Sequence, residues 1–161
     1  QISEICNDLK LKVDFFNFQN HSVFLKIEKN ENKNEKYKNE INIIEWFNSI
    51  NDSINYVENE LSKFSTQEVF LAGASHLSQY PILISDEIRK RIQFVLDNSK
   101  EKHEKRLYGT NRYCKPFEYI KKIESPLIII FNSPYQNEMI EQIMKLNPKV
   151  QIINSNFKQN L

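Results

Sequence analysis

The chain has 161 residues, with 22 Lys and Arg against 21 Asp and Glu, a formal net charge of +1 and 40% hydrophobic residues. Such a length holds one ordinary domain, or a small domain with appended pieces of another. Balanced charge with bases spread along the chain disfavours a nucleic-acid partner, and neither a run of ~20 apolar residues nor an export leader is present, so a cytoplasmic protein without a membrane span is expected.

Residues 2–10 place Ile2, Ile5, Cys6 and Leu9 at helical spacing, and two strand candidates follow, Leu11–Phe18 and Ser22–Glu28, joined through Gln19-Asn20-His21. The spacing predicts a helix leading into a hairpin. Because Gln1 opens directly into that helix-like segment, we read the chain as a piece of a longer protein. Lys29–Glu40 alternates Lys, Glu and Asn with almost no apolar residue and reads as a linker.

From Ile41 to Phe64, residues Ile43, Ile44, Phe47, Ile50, Ile54, Val57, Leu61 and Phe64 recur in three- and four-residue steps. They predict one amphipathic helix of about six turns, its stripe covering a sheet, with Trp46 off the stripe. The pattern then changes to strand Glu68–Ala72, helix Leu77–Ser85 or on to Arg91, strand Ile92–Leu96, helix Pro116–Ile123, strand Leu127–Phe131, helix Pro134–Leu146 and strand Val150–Ile153. Apolar strands alternating with helices predict an α/β fold, a small Rossmann-like parallel sheet with flanking helices. The domain reading is 1–30 for helix plus hairpin, 31–66 for linker and long helix, and 67–161 for the Rossmann-like domain.

In such sheets ligands bind beyond the carboxyl ends of the strands, where helix N-termini offer N–H groups. The chain has two glycines, Gly73 directly after the first of these strands and Gly109 within Leu107-Tyr108-Gly109-Thr110. Gly73-Ala74-Ser75-His76 is not a GxGxxG loop; it suits at most one phosphate-bearing ligand, and Ser75, which could donate to a phosphate, taken alone reads first as a helix cap. Asp97, directly after the second strand and followed by Asn98, is either a ribose or sugar ligand or a turn residue. After the third strand, Asn132, Ser133 and Tyr135 are candidates, with Glu138 three residues on at the positive end of the next helix. His103 falls in the charged run Lys100–Arg106 and is assigned no role. Cys6 and Cys114 belong to no CxxC or Cys/His cluster and read as reduced and structural, with no metal site.

These residues carry a resemblance. His21-Ser22-Val23-Phe24-Leu25, Val69 to Ser75, Phe94-Val95-Leu96-Asp97-Asn98, Leu107-Tyr108-Gly109-Thr110 and Asn132 to Glu138 resemble, in order and spacing, the HGGS, GAS, VVDDN, PG-T and N-Y-x-x-E segments of the SAM-dependent sugar C-methyltransferase family. Both glycines of the first segment are missing, Ser75-His76 replaces a small residue and Lys-Gly, and Leu107-Tyr108 replaces the proline before Gly109.

The resemblance implies the C-terminal part of such an enzyme, with residues 1–28 as the tail of its methyltransferase domain. S-adenosylmethionine and the catalytic groups would lie in a preceding domain. This part would help to bind a nucleotide-linked sugar through Gly73, Ala74, Ser75, His76, Asp97, Asn98, Gly109, Asn132, Ser133 and Tyr135, in the service of polysaccharide or metabolite synthesis, and would not turn over alone. Two other readings stand beside it: a non-catalytic nucleotide-sugar-binding module of another sugar-modifying enzyme, and a structural or dimerising domain.

Overall fold

The computed structural model describes residues 11–18, 22–29, 43–131, 133 and 135–155. The helix expected over 2–10, most of the expected linker, Cys6, Asn132 and Pro134 lie outside them, as does the side chain of Trp46. The chain divides into two units, 1–46 and 47–161. In the first, β1 (Leu11–Phe18) pairs antiparallel with β2 (Ser22–Lys29), Phe18 opposite Ser22 and Leu11 opposite Lys29.

The second unit is built on a five-stranded sheet of β3 (Val69–Ala72), β4 (Ile92–Leu96), β5 (Cys114–Lys115), β6 (Leu127–Phe131) and β7 (Gln151–Ser155). Its spatial order is β5-β4-β3-β6-β7, and every neighbouring pair is parallel. The chain enters at the centre, winds out to one edge, crosses back to β6 beside β3 and finishes at the other edge. This is the doubly wound, Rossmann-like arrangement, and its reversal of direction between β3 and β6 is where such sheets open a crevice at their carboxyl ends.

Strand β6 shows why the sequence adopts this layering. All five of its residues are buried. Leu127, Ile129 and Phe131 enter one core with Ile50, Ile54, Val57 and Leu61 of α1 (Ile43–Leu61), and with Ile82 and Ile88; Ile128 and Ile130 enter the other with Phe117, Ile120, Met139 and Ile143. A strand covered on both faces has no use for a polar alternation, hence the unbroken apolar run. The long amphipathic helix is thereby part of this unit's core.

Of the two expected extents, Leu77–Ser85 matches α2 (His76–Ile84), and the stretch on to Arg91 is a separate helix, α3 (Asp86–Arg91). Ser85 separates them: its hydroxyl accepts from the Ile88 N–H at 3.0 Å and donates to Glu58 Oε1 at 2.5 Å, capping α3 while tying it to α1. Asp86 and Glu87 stand in the first turn of α3 and Arg89 to Arg91 in its last, matching the helix dipole. The Arg91 guanidinium continues to the Leu61 and Phe64 carbonyls at the end of α1, a helix with no basic residue in its own last turn.

Residues Phe117–Lys122 form a 3-10 segment instead of the expected α-helix, and α4 (Gln136–Leu146) starts two residues after the expected Pro134. Strand β5 was not anticipated, because two residues carry no periodicity. It is placed by long-range bonds: Val95 N–H donates to the Tyr113 carbonyl at 2.9 Å and Asp97 N–H to the Lys115 carbonyl at 3.0 Å. Among the described residues no helix is long and apolar enough to cross a membrane.

Candidate functional site

Strand β3 ends at Ala72 and the chain turns at once through Gly73, whose φ of +89° lies in the region that side-chain-bearing residues rarely adopt. Space is not the constraint there, since an added Cβ would meet Met139 Sδ at 3.8 Å and Ser78 Oγ at 4.0 Å, both ordinary contacts. The turn is fixed by hydrogen bonds. Gly73 N–H donates to the Leu96 carbonyl at the end of β4 at 2.7 Å, and the buried Ser78 hydroxyl and the Ser75 N–H both donate to the Gly73 carbonyl.

Asp97 is the hub of the loops that follow β3 and β4. Its Oδ2 accepts from the Ala74 N–H at 2.7 Å and from Lys102 Nζ at 3.0 Å, while Oδ1 accepts from the Ser99 N–H at 2.8 Å. Lys102 Nζ also donates to the Ala74 carbonyl at 3.0 Å, and His103 Nε2 lies 2.8 Å from the Asp97 carbonyl. The Asp97–Ser99 bond is the turn geometry that an Asp at a strand end adopts, and the bond to Ala74 joins two strand ends across the sheet.

Burial of the Asp97 carboxyl works to raise its pKa, but hydrogen bonds from Ser99, Lys102 and Ala74, together with the Lys102 charge, outweigh it. The net effect holds the group below 3.8, so it is ionised at neutral pH. On β5, the buried Cys114 thiol is pushed the other way, to about 11, first by desolvation and then by the negative charge of Asp97.

Ser75 holds the N-cap position of α2, yet its side chain makes no capping bond; it and His76, the first residue of the helix, are exposed. Asn98 Nδ2 donates to Gln142 Oε1 on α4 at 2.6 Å, linking the loop after β4 to a helix on the other side of β3. The Ser133 hydroxyl accepts from the Tyr135 N–H at 3.2 Å and its carbonyl from the Gln136 N–H at 3.1 Å, forming the turn into α4; Tyr135 is 62% exposed. Asn132 is outside the described residues.

Gly109 lies against α2. Its φ is +70°, and an added Cβ would meet Gln79 Nε2 at 2.9 Å and Leu83 Cδ1 at 3.8 Å on the flank of α2. The loop carrying it is closed by Leu107 N–H to the Arg112 carbonyl at 2.8 Å and pinned by the Arg112 guanidinium on the Arg89 carbonyl at 2.5 Å. Gly73, Ala74 and Asp97 are thus brought together, and Gly109 has a different set of nearest neighbours.

Lys102 and Ser78 take part in this cluster and were not singled out from sequence, and His103, assigned no role there, joins it through the Asp97 carbonyl. In the run Lys100–Arg106 nothing distinguishes Lys102 from its neighbouring lysines. Its position follows from the 3-10 turn Lys100–Lys102, which begins after the Ser99 held by Asp97. The single-glycine turn with an exposed Ser75 suits one phosphate group more readily than the pyrophosphate of a dinucleotide. Among the described residues no three His, Cys, Asp or Glu side chains gather in a way that holds a metal ion.

No family model matches the sequence, and none of the curated proteins or solved structures is detectably similar to it.

Proposed function

We propose that the Rossmann-like unit binds a nucleotide-linked sugar at the carboxyl ends of β3, β4 and β6, and that it serves as the substrate-holding part of a cytoplasmic, SAM-dependent sugar methyltransferase whose cofactor and catalytic groups lie outside this chain. The observation that carries the binding reading is the positive-φ turn at Gly73, bound to β4 through both Leu96 and Asp97. It sets the start of α2, with the N–H groups of His76 and Leu77 in its first turn, beside the switch point of a parallel sheet. The methyltransferase assignment rests on the ordered sequence motifs.

A direct proton-transfer role is not part of the proposal. Asp97 is held ionised by its donors and its carboxylate is largely enclosed, at 14% side-chain exposure, whereas a carbon acid needs a base aimed at substrate.

Thermal denaturation with UDP-, GDP-, CDP- and TDP-linked sugars, S-adenosylmethionine and S-adenosylhomocysteine tests the proposal, since a ligand at about 100 times its dissociation constant adds about 2.7 kcal/mol. Stabilisation by a nucleotide sugar and not by S-adenosylmethionine is expected. Stabilisation by S-adenosylmethionine alone would reverse the assignment.

A second reading, a structural domain, is favoured by one observation: the Asp97 carboxylate is already engaged by three protein donors, the Ala74 and Ser99 amides and the Lys102 ammonium. It predicts no stabilisation by any of these compounds.

A further inference from the structure

We infer that Lys102 is an internal competitor for the Asp97 carboxylate, a latch that a ligand's vicinal diol must displace; the inference rests on the nucleotide-sugar reading and specifies how that site is engaged. A carboxylate offers about four acceptor positions, two on each oxygen. Oδ2 has both of its positions in use, one by the Ala74 N–H and one by the Lys102 ammonium, and Oδ1 has one in use by the Ser99 N–H. Counting the donors among the described residues, one position remains, on Oδ1.

A single hydroxyl can therefore bind with the latch closed, but a cis-diol that donates to both oxygens requires a position on Oδ2. The two amide donors belong to backbone that the sheet holds in place through Gly73 and Asp97 themselves. Lys102 is the replaceable donor: it reaches in from a short 3-10 turn on a flexible side chain that is 46% exposed. Its second bond, to the Ala74 carbonyl, spans the loops after β3 and β4, so displacement releases the contact between those loops that Lys102 makes.

The consequence is selectivity. A ribonucleotide presents the 2′,3′-diol and engages both hydroxyls only by opening the latch, whereas a 2′-deoxyribonucleotide has only the 3′-hydroxyl and fits the remaining position on Oδ1. Removing the lysine amine should favour the first and leave the second unchanged.

The test is calorimetric titration of the 161-residue chain, unaltered and as Lys102→Met and Lys102→Gln, with UDP-glucose and with TDP-glucose. The expected result is UDP-glucose affinity rising about two- to fivefold in both variants, the range set by a half-exposed ion pair, with TDP-glucose unchanged. Two substitutions are used so that a folding defect in one leaves the other to read, and the melting profile without ligand identifies such a defect. Binding to the unaltered chain with equal or weaker UDP-glucose affinity in the variants overturns the latch while leaving the binding site. A fall for both sugars makes Lys102 a phosphate contact. No binding of either sugar by any of the three proteins overturns the latch, and if GDP- and CDP-linked sugars also fail to bind it overturns the nucleotide-sugar reading itself.

Discussion

The Ala74 amide and the Asp97 carboxylate, 23 residues apart in the chain, meet at 2.7 Å and join the loop after the central strand to the loop after its neighbour. Removing the carboxylate in Asp97→Ala leaves the Ala74 and Ser99 amides without their acceptor and frees Lys102. A loss of about 1–3 kcal/mol in unfolding free energy is expected, measured by urea denaturation. An unchanged midpoint would mean that the turn is held by the bonds of Gly73 to Leu96, Ser75 and Ser78 without the carboxylate.

Acid should weaken the same junction. Asp97 has a folded-state pKa below its ordinary value, so its stabilising contribution is complete at pH values well above 3.8 and is lost as pH falls through the lower, folded-state value. Stability profiles between about pH 6 and pH 2 should be less steep for Asp97→Asn than for the unaltered chain. Parallel profiles would contradict the depressed pKa.

At the alkaline end Cys114 acts with the opposite sign. In the unfolded chain its thiol ionises near 9.0, whereas in the folded protein it stays protonated to about 11, so the unfolded state releases a proton first and stability declines across that interval. Mass-spectrometric mapping after iodoacetamide treatment should find Cys114 modified only under unfolding conditions, and rapid labelling in the native protein would contradict its burial.

Gly73→Ala should cost about 1–2 kcal/mol through backbone strain alone, because the nearest atoms leave room for a Cβ. Gly109→Ala meets the same kind of strain plus the end of the flexible Gln79 side chain, which can move aside. The two therefore separate by function: both should lower stability, but only Gly73→Ala should also weaken nucleotide-sugar binding. Calorimetric titration of both variants compares them directly.

Helix α1 contributes Ile50, Ile54, Val57 and Leu61 to the core on one face of the sheet. Leu61→Ala should destabilise by about 2–5 kcal/mol. A chain of residues 47–161 should unfold cooperatively by circular dichroism, and one of residues 67–161 should not, since it exposes Val69, Leu71, Leu127 and Ile129 to water.

Much of this architecture was legible because the sheet is buried on both faces. Leu127–Phe131 is apolar throughout, and the spacing of Ile50, Ile54, Val57 and Leu61 is helical before any tertiary contact is considered. The junction at Gly73 and Asp97 was legible for a related reason, since both follow directly on such strands. What lay beyond local pattern were features fixed by distant partners: β5, whose two residues are ordered by Val95 and Asp97; Lys102, aimed by a turn that starts at Asp97; and the position of Gly109, set by the folding of its loop onto α2. At Ser85 the cap on the Ile88 N–H is local, and what lay beyond local pattern is the bond from its hydroxyl to Glu58 on another helix.

The most direct measurement is the 15N–1H correlation spectrum of the isotope-labelled chain during titration with UDP-glucose. The account predicts saturable shifts concentrated on the amides of Gly73, Ala74, Ser75, His76 and Ser99. Saturable shifts confined to other parts of the sheet, or a spectrum that does not change, would contradict a nucleotide-sugar site at this junction.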